Sequence, residues 1–172
     1  MKIALAQTRP VKGDIEYNSA KHKKFIDLAL SYKADLILFP ELSITGYEPE
    51  SAKELATIAD DIRFDKFQII SDEKSIIICI GVPLKTDNGI FISMLIFQPG
   101  QAKKIYSKRY LHADEEPYFI RGQQQIFLEK NHHIIVPAIC YELSIPEHAK
   151  HAYDNNADIY LVSVAKTEEG MD

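Results

Sequence analysis

Apolar positions in the first third of the chain alternate between the spacings of strands and of amphipathic helices. Residues 3–7 are β-prone, residues 35–39 form a short apolar run that Pro40 ends, and breaks at Pro10 and Gly13 separate the two. Two sets of apolar residues recur at helical spacing: Phe25, Leu28, Ala29 and Tyr32, and then Leu55, Ile58, Ala59 and Ile62. The pattern predicts the order strand, helix, strand, helix.

The remainder of the chain adds strands that pair in both directions. Residues 75–82 and 90–97 are apolar runs joined through Asn88-Gly89, which predicts a β-hairpin. Further strands are expected at 104–106, 132–140 and 158–164, with an aperiodic loop over 107–124. Ser144 and Pro146-Glu147 resemble the start of another helix. The prediction is therefore an α/β fold with a mixed sheet and a layer of helices.

Composition adds a size and a charge to this picture. The chain has 172 residues, of which 46% are hydrophobic and 26% charged, and this suits a single globular domain. Its net charge is -5 and it has no basic stripe, so a nucleic-acid partner is not expected. No run approaches the roughly 18 apolar residues of a membrane span, and residues 1–7 contain no signal-peptide core. We therefore expect a cytoplasmic protein with no membrane contact.

The two cysteines lie in separate apolar runs and form neither a disulfide framework nor a CxxC pair. Cys79 lies within an apolar strand and is interpreted as a core residue. Cys140 lies where a strand ends, beside a glutamate, in the stretch PAICYEL at 137–143. A nucleophilic cysteine needs a base, a cation and a turn that exposes its sulfur, whereas a core thiol needs none of these. Taken alone, Cys140 is better explained as a core thiol.

Chemically useful residues follow three of the predicted strands. Glu41 comes after LILFP, Lys108 after KIYS and Cys140 after IIVPAI. Ligands of open α/β sheets bind at the carboxyl ends of the strands, so these three side chains can converge there. Together they supply a general base, a cation for an oxyanion and a nucleophile, which are the groups that acyl transfer needs.

At these residues the chain resembles the nitrilase, or carbon-nitrogen hydrolase, superfamily. The matching segments are FPELSITGY at 39–47, YSKRYL at 106–111, DEEPYF at 114–119 and CYELSIPE at 140–147. The resemblance implies an αββα sandwich with mixed sheets and outer helices, a Glu41-Lys108-Cys140 triad and a supporting glutamate at Glu115. It also implies an enzyme that hydrolyses a small amide or a nitrile through a thioester, without a cofactor or metal, in a homo-oligomer.

Several supporting roles follow from this resemblance. The backbone N–H of Tyr141 is expected to assist Lys108 in binding the oxyanion, and Glu142 is expected to pair with a cation or hold the turn. Three aromatic residues are expected either to line the substrate pocket or to pack loops against the sheet: Tyr47, Tyr118 and Phe119. Glu116, next to Glu115, is the alternative if the register of the motif is shifted by one.

Family domains continue well beyond the strand at 158–164, so the domain expected over 1–172 lacks its C-terminal part and the second sheet is expected to be incomplete. An uncovered sheet edge invites pairing with another chain. An inactive fragment or interaction module of the same fold is therefore the alternative function. A third alternative is a metal-dependent hydrolase using Glu147, His148 and His151, although helical histidine pairs are usually solvated.

Overall fold

The computed structural model describes residues 1–165, so the last seven residues of the expected domain, 166–172, lie outside the described part. The strands are β1 (Ile3–Leu5), β2 (Leu36–Leu38), β3 (Ile77–Thr86), β4 (Gly89–Phe97), β5 (Lys104–Ser107), β6 (Leu128–Lys130), β7 (His133–Ile139) and β8 (Ile159–Ser163). The helices are α1 (Ile15–Ser31), α2 (Ala52–Leu55), α3 (Asp65–Lys74) and α4 (Pro146–Asp154).

These strands form two sheets. The first has the order β1-β2-β3-β4-β5, in which β1 to β3 are parallel and the β3–β4 and β4–β5 pairs are antiparallel. The second has the order β6-β7-β8, with β6 antiparallel and β8 parallel to β7. The predicted hairpin is confirmed, with Thr86 paired to Gly89 across the turn.

Alternate residues of the first sheet face two different cores. Leu36 and Leu38 belong to the cluster between the sheets, together with Ile135 and Leu161 of the second sheet. Ile37, between them, belongs to a cluster that also contains residues of α1 and α3. Helix α4 buries His148 and Ala152 beside the second sheet. The layers are therefore helix, sheet, sheet, helix, and the predicted α/β sandwich with a small second sheet is confirmed.

Helix α1 forms where it was predicted, and Phe25 and Ala29 of the predicted apolar face pack against the core, but the rest of that face does not. Its buried residues include Asn18, His22 and Ile26, whereas Leu28 and Tyr32 of the predicted apolar face are mainly exposed. Asn18 is buried because its side chain bonds to the backbone of Val11 and Ile44. Tertiary hydrogen bonds thus decide the orientation of this helix.

The prediction of a helix around residues 55–62 is wrong. Helix α2 ends at Leu55, and Thr57 instead exchanges backbone hydrogen bonds with strand β3, donating to Pro83 and accepting from Lys85. Ile58 and Ile62 are exposed, and the helix of this region is α3, anchored by the buried Phe67. Strand β6 was not predicted, because its three residues show no apolar periodicity.

Candidate active site

Glu41 lies in a turn directly after β2 and is almost completely buried. Strand β3 approaches this turn so closely that a Cβ on Gly81 would lie 2.4 Å from the carbonyl oxygen of Pro40 and 2.5 Å from the nitrogen of Leu42. The backbone N–H of Ile44 donates to the Gly81 carbonyl at 3.1 Å. Leu42 adopts a positive φ of 51°, which is uncommon for a residue with a side chain. Only glycine at position 81 fits this contact.

Helix α1 supports the same turn through a buried histidine. The Nε2 of His22 lies 2.9 Å from the Oγ of Ser43, and its Nδ1 lies 2.7 Å from the carbonyl oxygen of Asn18. The imidazole stacks on Phe39 with ring centroids 3.9 Å apart. Burial lowers the pKa of His22 to about 4, so the ring is neutral at pH 7. His22 therefore fixes the turn of Glu41 without adding charge.

Lys108 is the first residue after β5, and its side chain is completely buried. Its Nζ donates to Oε1 of Glu41 at 2.8 Å and to Oε1 of Glu115 at 2.6 Å. The backbone N–H of Gly122 donates to the Lys108 carbonyl at 2.7 Å. A Cβ on Gly122 would lie 2.1 Å from the backbone carbonyl oxygen of Ser107, so this contact requires glycine. A buried ammonium with two carboxylates is compensated for its lost hydration.

Glu115 anchors the lysine from the aperiodic loop. Its Oε1 also accepts a hydrogen bond from the Tyr47 hydroxyl at 3.1 Å, and its Oε2 accepts from the backbone N–H of His112 at 2.8 Å. Glu116 points elsewhere, since it is exposed and pairs with Arg121. The structure thus brings Glu115, and not Glu116, to Lys108 and Glu41.

Cys140 follows β7 and begins a 3-10 turn, Cys140–Ser144. Its φ of 46° places a non-glycine residue in the left-handed region, a conformation that costs free energy and often marks functional turns. Tyr141, whose backbone N–H belongs to the start of this turn, packs edge-on against His112. The thiol is partly accessible, in contrast to that of Cys79, which is buried in the core as predicted.

The charges of this cluster act on one another. Burial raises the pKa of the Cys140 thiol, the Glu41 charge adds to this and the Lys108 charge opposes both, which leaves the pKa at about 12. Burial raises the pKa of Glu41 above its usual value, although Lys108 lowers it. Burial lowers the pKa of Lys108, but Glu41 and Glu115 outweigh this, so its pKa is raised. The arrangement holds a neutral thiol beside a carboxyl of increased basicity and a permanent cation.

The two oxygens of the Glu41 carboxyl have different surroundings. Oε1 accepts the hydrogen bond from Lys108, whereas Oε2 is buried and receives no hydrogen bond of good geometry within residues 1–165; a weaker interaction with the Cys140 thiol lowers the pKa of the carboxyl. A buried carboxylate oxygen without a donor is uncommon and costs free energy.

The sequence profile of carbon-nitrogen hydrolases matches residues 2–171. This chain belongs to the carbon-nitrogen hydrolase family. One curated relative is the glutamine-dependent NAD(+) synthetase of Acinetobacter baylyi, which is 30% identical over 98% of this chain and 32% of that protein. Another is an omega-amidase of Escherichia coli K12, which is 26% identical over 75% of this chain and 50% of that protein.

Solved structures share the same fold. The amidase of Nesterenkonia sp. AN1 has a TM-score of 0.87 at 22% identity, covering 99% of this chain and 69% of that one. The glutamine-dependent NAD+ synthetase of Acinetobacter baumannii has a TM-score of 0.78 at 27% identity, covering 95% and 32%. This carbon-nitrogen hydrolase chain spans about a quarter to three fifths of the length of the curated relatives that it matches.

A cavity of about 550 Å³ opens beside Glu41 in this carbon-nitrogen hydrolase. Tyr47 lines it, together with Lys12 and Glu48, which form an ion pair at 2.7 Å. Cys140 and Lys108 do not line this cavity, and neither do the other two aromatic residues expected either to line the pocket or to pack loops against the sheet. Phe119 is buried in the core between the sheets, and Tyr118 is partly exposed and does not line the cavity.

The histidines of α4 do not form a metal site. His148 is completely buried and bonds to the hydroxyls of Tyr106 and Tyr160, which corrects the expectation of a solvated pair, and His151 is exposed. Residues 1–165 contain no group of three or more histidine, cysteine or acidic side chains arranged to hold a metal ion. In the same range, no helix has the length and apolar character needed to cross a membrane.

Glu142 is completely buried and accepts four hydrogen bonds, which agrees with the expected role of holding the turn. Its Oε2 accepts from the backbone N–H of Ile139 at 2.7 Å and from the Tyr106 hydroxyl at 2.7 Å. Its Oε1 accepts from the N–H of Arg109 at 2.6 Å and, more weakly, of Tyr110 at 3.4 Å. Sequence reasoning missed Tyr106, which donates to Glu142, and His148, which bonds to Tyr106, since nothing in their spacing signals a shared hydrogen-bond chain.

Proposed function

We propose that this carbon-nitrogen hydrolase cleaves a small primary amide through a thioester on Cys140, with Glu41 as general base and Lys108 as the oxyanion-binding cation. The observation that supports this most strongly is the fully buried Lys108 ammonium between Glu41 and Glu115, within the charge cluster that surrounds the thiol. Nothing in the stability of the fold requires such a cation, because a buried ion pair is often no more stabilising than apolar side chains of similar volume.

In the first half-reaction the Sγ of Cys140 attacks the amide carbon while its proton passes to Glu41. The negative charge that develops on the amide oxygen is stabilised by Lys108 and by the N–H of Tyr141. Glu41 then returns the proton to the nitrogen, the C–N bond breaks, and ammonia leaves. A thioester between Cys140 and the acyl group remains.

In the second half-reaction water attacks the thioester and gives its proton to Glu41. Collapse of the intermediate breaks the C–S bond, the proton returns to the sulfur, and the carboxylic acid leaves. A single carboxyl thus serves both halves, which requires a pKa within reach of neutrality. Burial raises the pKa of Glu41 in that direction.

Amides are the first substrate class to test, and nitriles the second. The names of the relatives, glutamine-dependent synthetases and omega-amidases, favour glutamine and other compounds with a terminal amide.

The test measures ammonia release from a panel of aliphatic amides, glutamine and nitriles, with intact mass spectrometry to detect the acyl adduct. We expect Cys140→Ala to abolish both, and Cys79→Ala, the matched substitution at the buried core cysteine, to retain them in the folded protein. Ammonia release by Cys140→Ala at the parent rate contradicts the proposed nucleophile.

A catalytically inactive interaction module of the same fold is the second candidate, because apolar residues are exposed near the β1 edge. Leu5 of this edge strand is 70% exposed, and Tyr32 of α1 is 67% exposed. This candidate predicts no acyl adduct with any amide, and self-association that decreases when Leu5 is changed to a charged residue. Sedimentation velocity measures the second property and also tests the expected homo-oligomer.

A further inference from the structure

Lys108 and Cys140 belong to different sheets, and their relative position is not set by strand pairing. Lys108 follows β5, at one edge of the first sheet, whereas Cys140 follows β7, at the centre of the second. Strands β5 and β7 share no ladder hydrogen bonds. Some other contact must hold the ammonium and the thiol at a fixed separation if they act on one carbonyl group, because loss of this geometry is costly to catalysis.

A single carboxylate connects the two strand ends. Oε1 of Glu142 accepts from the N–H of Arg109, the residue after Lys108, and Oε2 accepts from the N–H of Ile139, the residue before Cys140. Both distances, 2.6 and 2.7 Å, are typical of strong charge-assisted hydrogen bonds. Each oxygen therefore holds the backbone of one proposed catalytic residue.

A chain of hydrogen bonds fixes the carboxylate from behind. The Tyr106 hydroxyl donates to Oε2 of Glu142, so its oxygen accepts from Nε2 of His148 at 2.8 Å. The Nδ1 of His148 then accepts from the Tyr160 hydroxyl at 2.7 Å. Burial lowers the pKa of His148 to about 4, which agrees with the neutral ring that this chain requires. Tyr106 lies on β5 and Tyr160 on β8, so the chain also crosses between the sheets.

The Glu142 carboxylate also stabilises the strained turn at Cys140. Cys140 has a φ of 46°, and the Glu142 side chain closes the turn by binding the N–H that immediately precedes it. A non-glycine residue keeps such a left-handed conformation only when several surrounding contacts hold it there. All four partners of Glu142 are donors, a set that an ionised carboxylate can accept and an amide cannot; burial raises the pKa of Glu142, and these four hydrogen bonds oppose that rise.

We propose that Glu142 is a positioning residue for the hydrolysis proposed above, on which this inference rests: its carboxylate joins the backbone beside Lys108 to the backbone beside Cys140 and sets the distance between the oxyanion cation and the nucleophile. It does not touch the substrate. Its loss therefore lowers the rate of acyl transfer within the folded protein and leaves substrate binding almost unchanged.

The test compares Glu142→Gln with Glu129→Gln, an exposed glutamate on β6 of the same sheet, and with Tyr106→Phe. The glutamine amide can satisfy one backbone N–H but presents its own donors to the other. Tyr106→Phe destabilises the network and leaves both backbone contacts in place, so it separates lost stability from lost positioning. All variants are assayed below their unfolding transitions, as verified by circular dichroism.

We expect Glu142→Gln to lower kcat by at least tenfold with KM within threefold of the parent, Tyr106→Phe to retain at least five times the kcat of Glu142→Gln, and Glu129→Gln to match the parent. A kcat for folded Glu142→Gln within twofold of the parent overturns the proposal. Equal losses of kcat in Glu142→Gln and Tyr106→Phe also overturn it, because they indicate a general loss of structure.

Two readouts keep this test separate from that of the proposed function. Hydrogen exchange at the amides of Arg109 and Ile139 measures the contact directly, and Glu142→Gln should accelerate exchange by at least tenfold at whichever of the two amides faces the new NH₂ group. Acetylation of Cys140 by p-nitrophenyl acetate measures the nucleophile without a natural substrate. If the parent is not acetylated, the proposed function fails; if exchange at the two amides is unchanged, the role of Glu142 fails.

Discussion

Replacing Lys108 by methionine removes the positive charge from the centre of the site and nearly conserves the volume of the side chain. The lysine is completely buried and donates to Glu41 at 2.8 Å and Glu115 at 2.6 Å. Without it, two carboxyl groups share a buried space with no cation between them. Removing one partner of a buried ion pair typically costs about 3–5 kcal/mol of stability.

The same substitution removes a proposed donor to the oxyanion. Loss of one such donor raises the barrier by about 2.7–4 kcal/mol, so kcat should fall by roughly 10²–10³-fold. The matched control is Lys150→Met, because Lys150 is exposed and its pair with Asp154 is an i,i+4 surface contact. Such a pair contributes only about 0.3–0.5 kcal/mol, and Lys150→Met should remain close to the parent in both properties.

The stability loss of Lys108→Met should depend on pH in a defined direction. Burial already raises the pKa of Glu41, and the loss of the cation raises it further. A carboxyl whose pKa is higher in the folded than in the unfolded state destabilises the fold as pH rises above the unfolded value. The difference in unfolding free energy between Lys108→Met and the parent should therefore be smaller at pH 5 than at pH 8.

Urea denaturation at these two pH values, with kcat measured at pH 7.5, checks both parts. The reasoning about the buried charge is refuted if Lys108→Met unfolds at the same urea concentration as the parent at pH 8. The proposed catalytic role is refuted separately if the folded variant keeps more than a tenth of the parent kcat.

Three further predictions concern the turn of Glu41, the thiol and metals. Gly81→Ala should lower stability by about 1–3 kcal/mol and reduce activity, because the new Cβ would lie 2.4 Å from the Pro40 oxygen; thermal unfolding and kcat measure the two effects. Alkylation of Cys140 by iodoacetamide should rise steadily between pH 7 and 10, since its thiol pKa is raised to about 12; a plateau below pH 8 would show a resting thiolate. Dialysis against EDTA should leave amide hydrolysis unchanged, and a loss restored by zinc would instead support the metal-dependent alternative.

The contact between Glu41 and Lys108 could be predicted from the sequence because each residue follows the end of a strand. Strand ends are recognisable from apolar runs, and two side chains at such ends, Lys108 and Glu41, meet at 2.8 Å in the structure. The fold class was equally accessible, since the buried strands and the Asn88-Gly89 turn carry strong local signals.

The supporting contacts could not be predicted in the same way. The apolar spacing of Ile58 and Ile62 suits a helix, but pairing of Thr57 with β3 keeps the chain extended there. From its sequence context His148 resembles a surface residue. In the structure its two ring nitrogens bond to the hydroxyls of Tyr106 on β5 and Tyr160 on β8, and these contacts are not visible in the sequence. An isolated glycine within an apolar strand, such as Gly81, is a signal of close backbone approach, although it does not identify the approaching turn.

The site takes its residues from three widely separated parts of the chain, and this has a consequence for folding. Glu41 and Lys108 are 67 positions apart, and Cys140 comes from the other sheet. Contacts between distant segments form late and slowly, because the intervening loops must close before the contacts stabilise them. During refolding, the helical circular dichroism signal should therefore recover before the proposed site is assembled. The rate at which any hydrolytic activity returns would then report the rate at which the two sheets pack together.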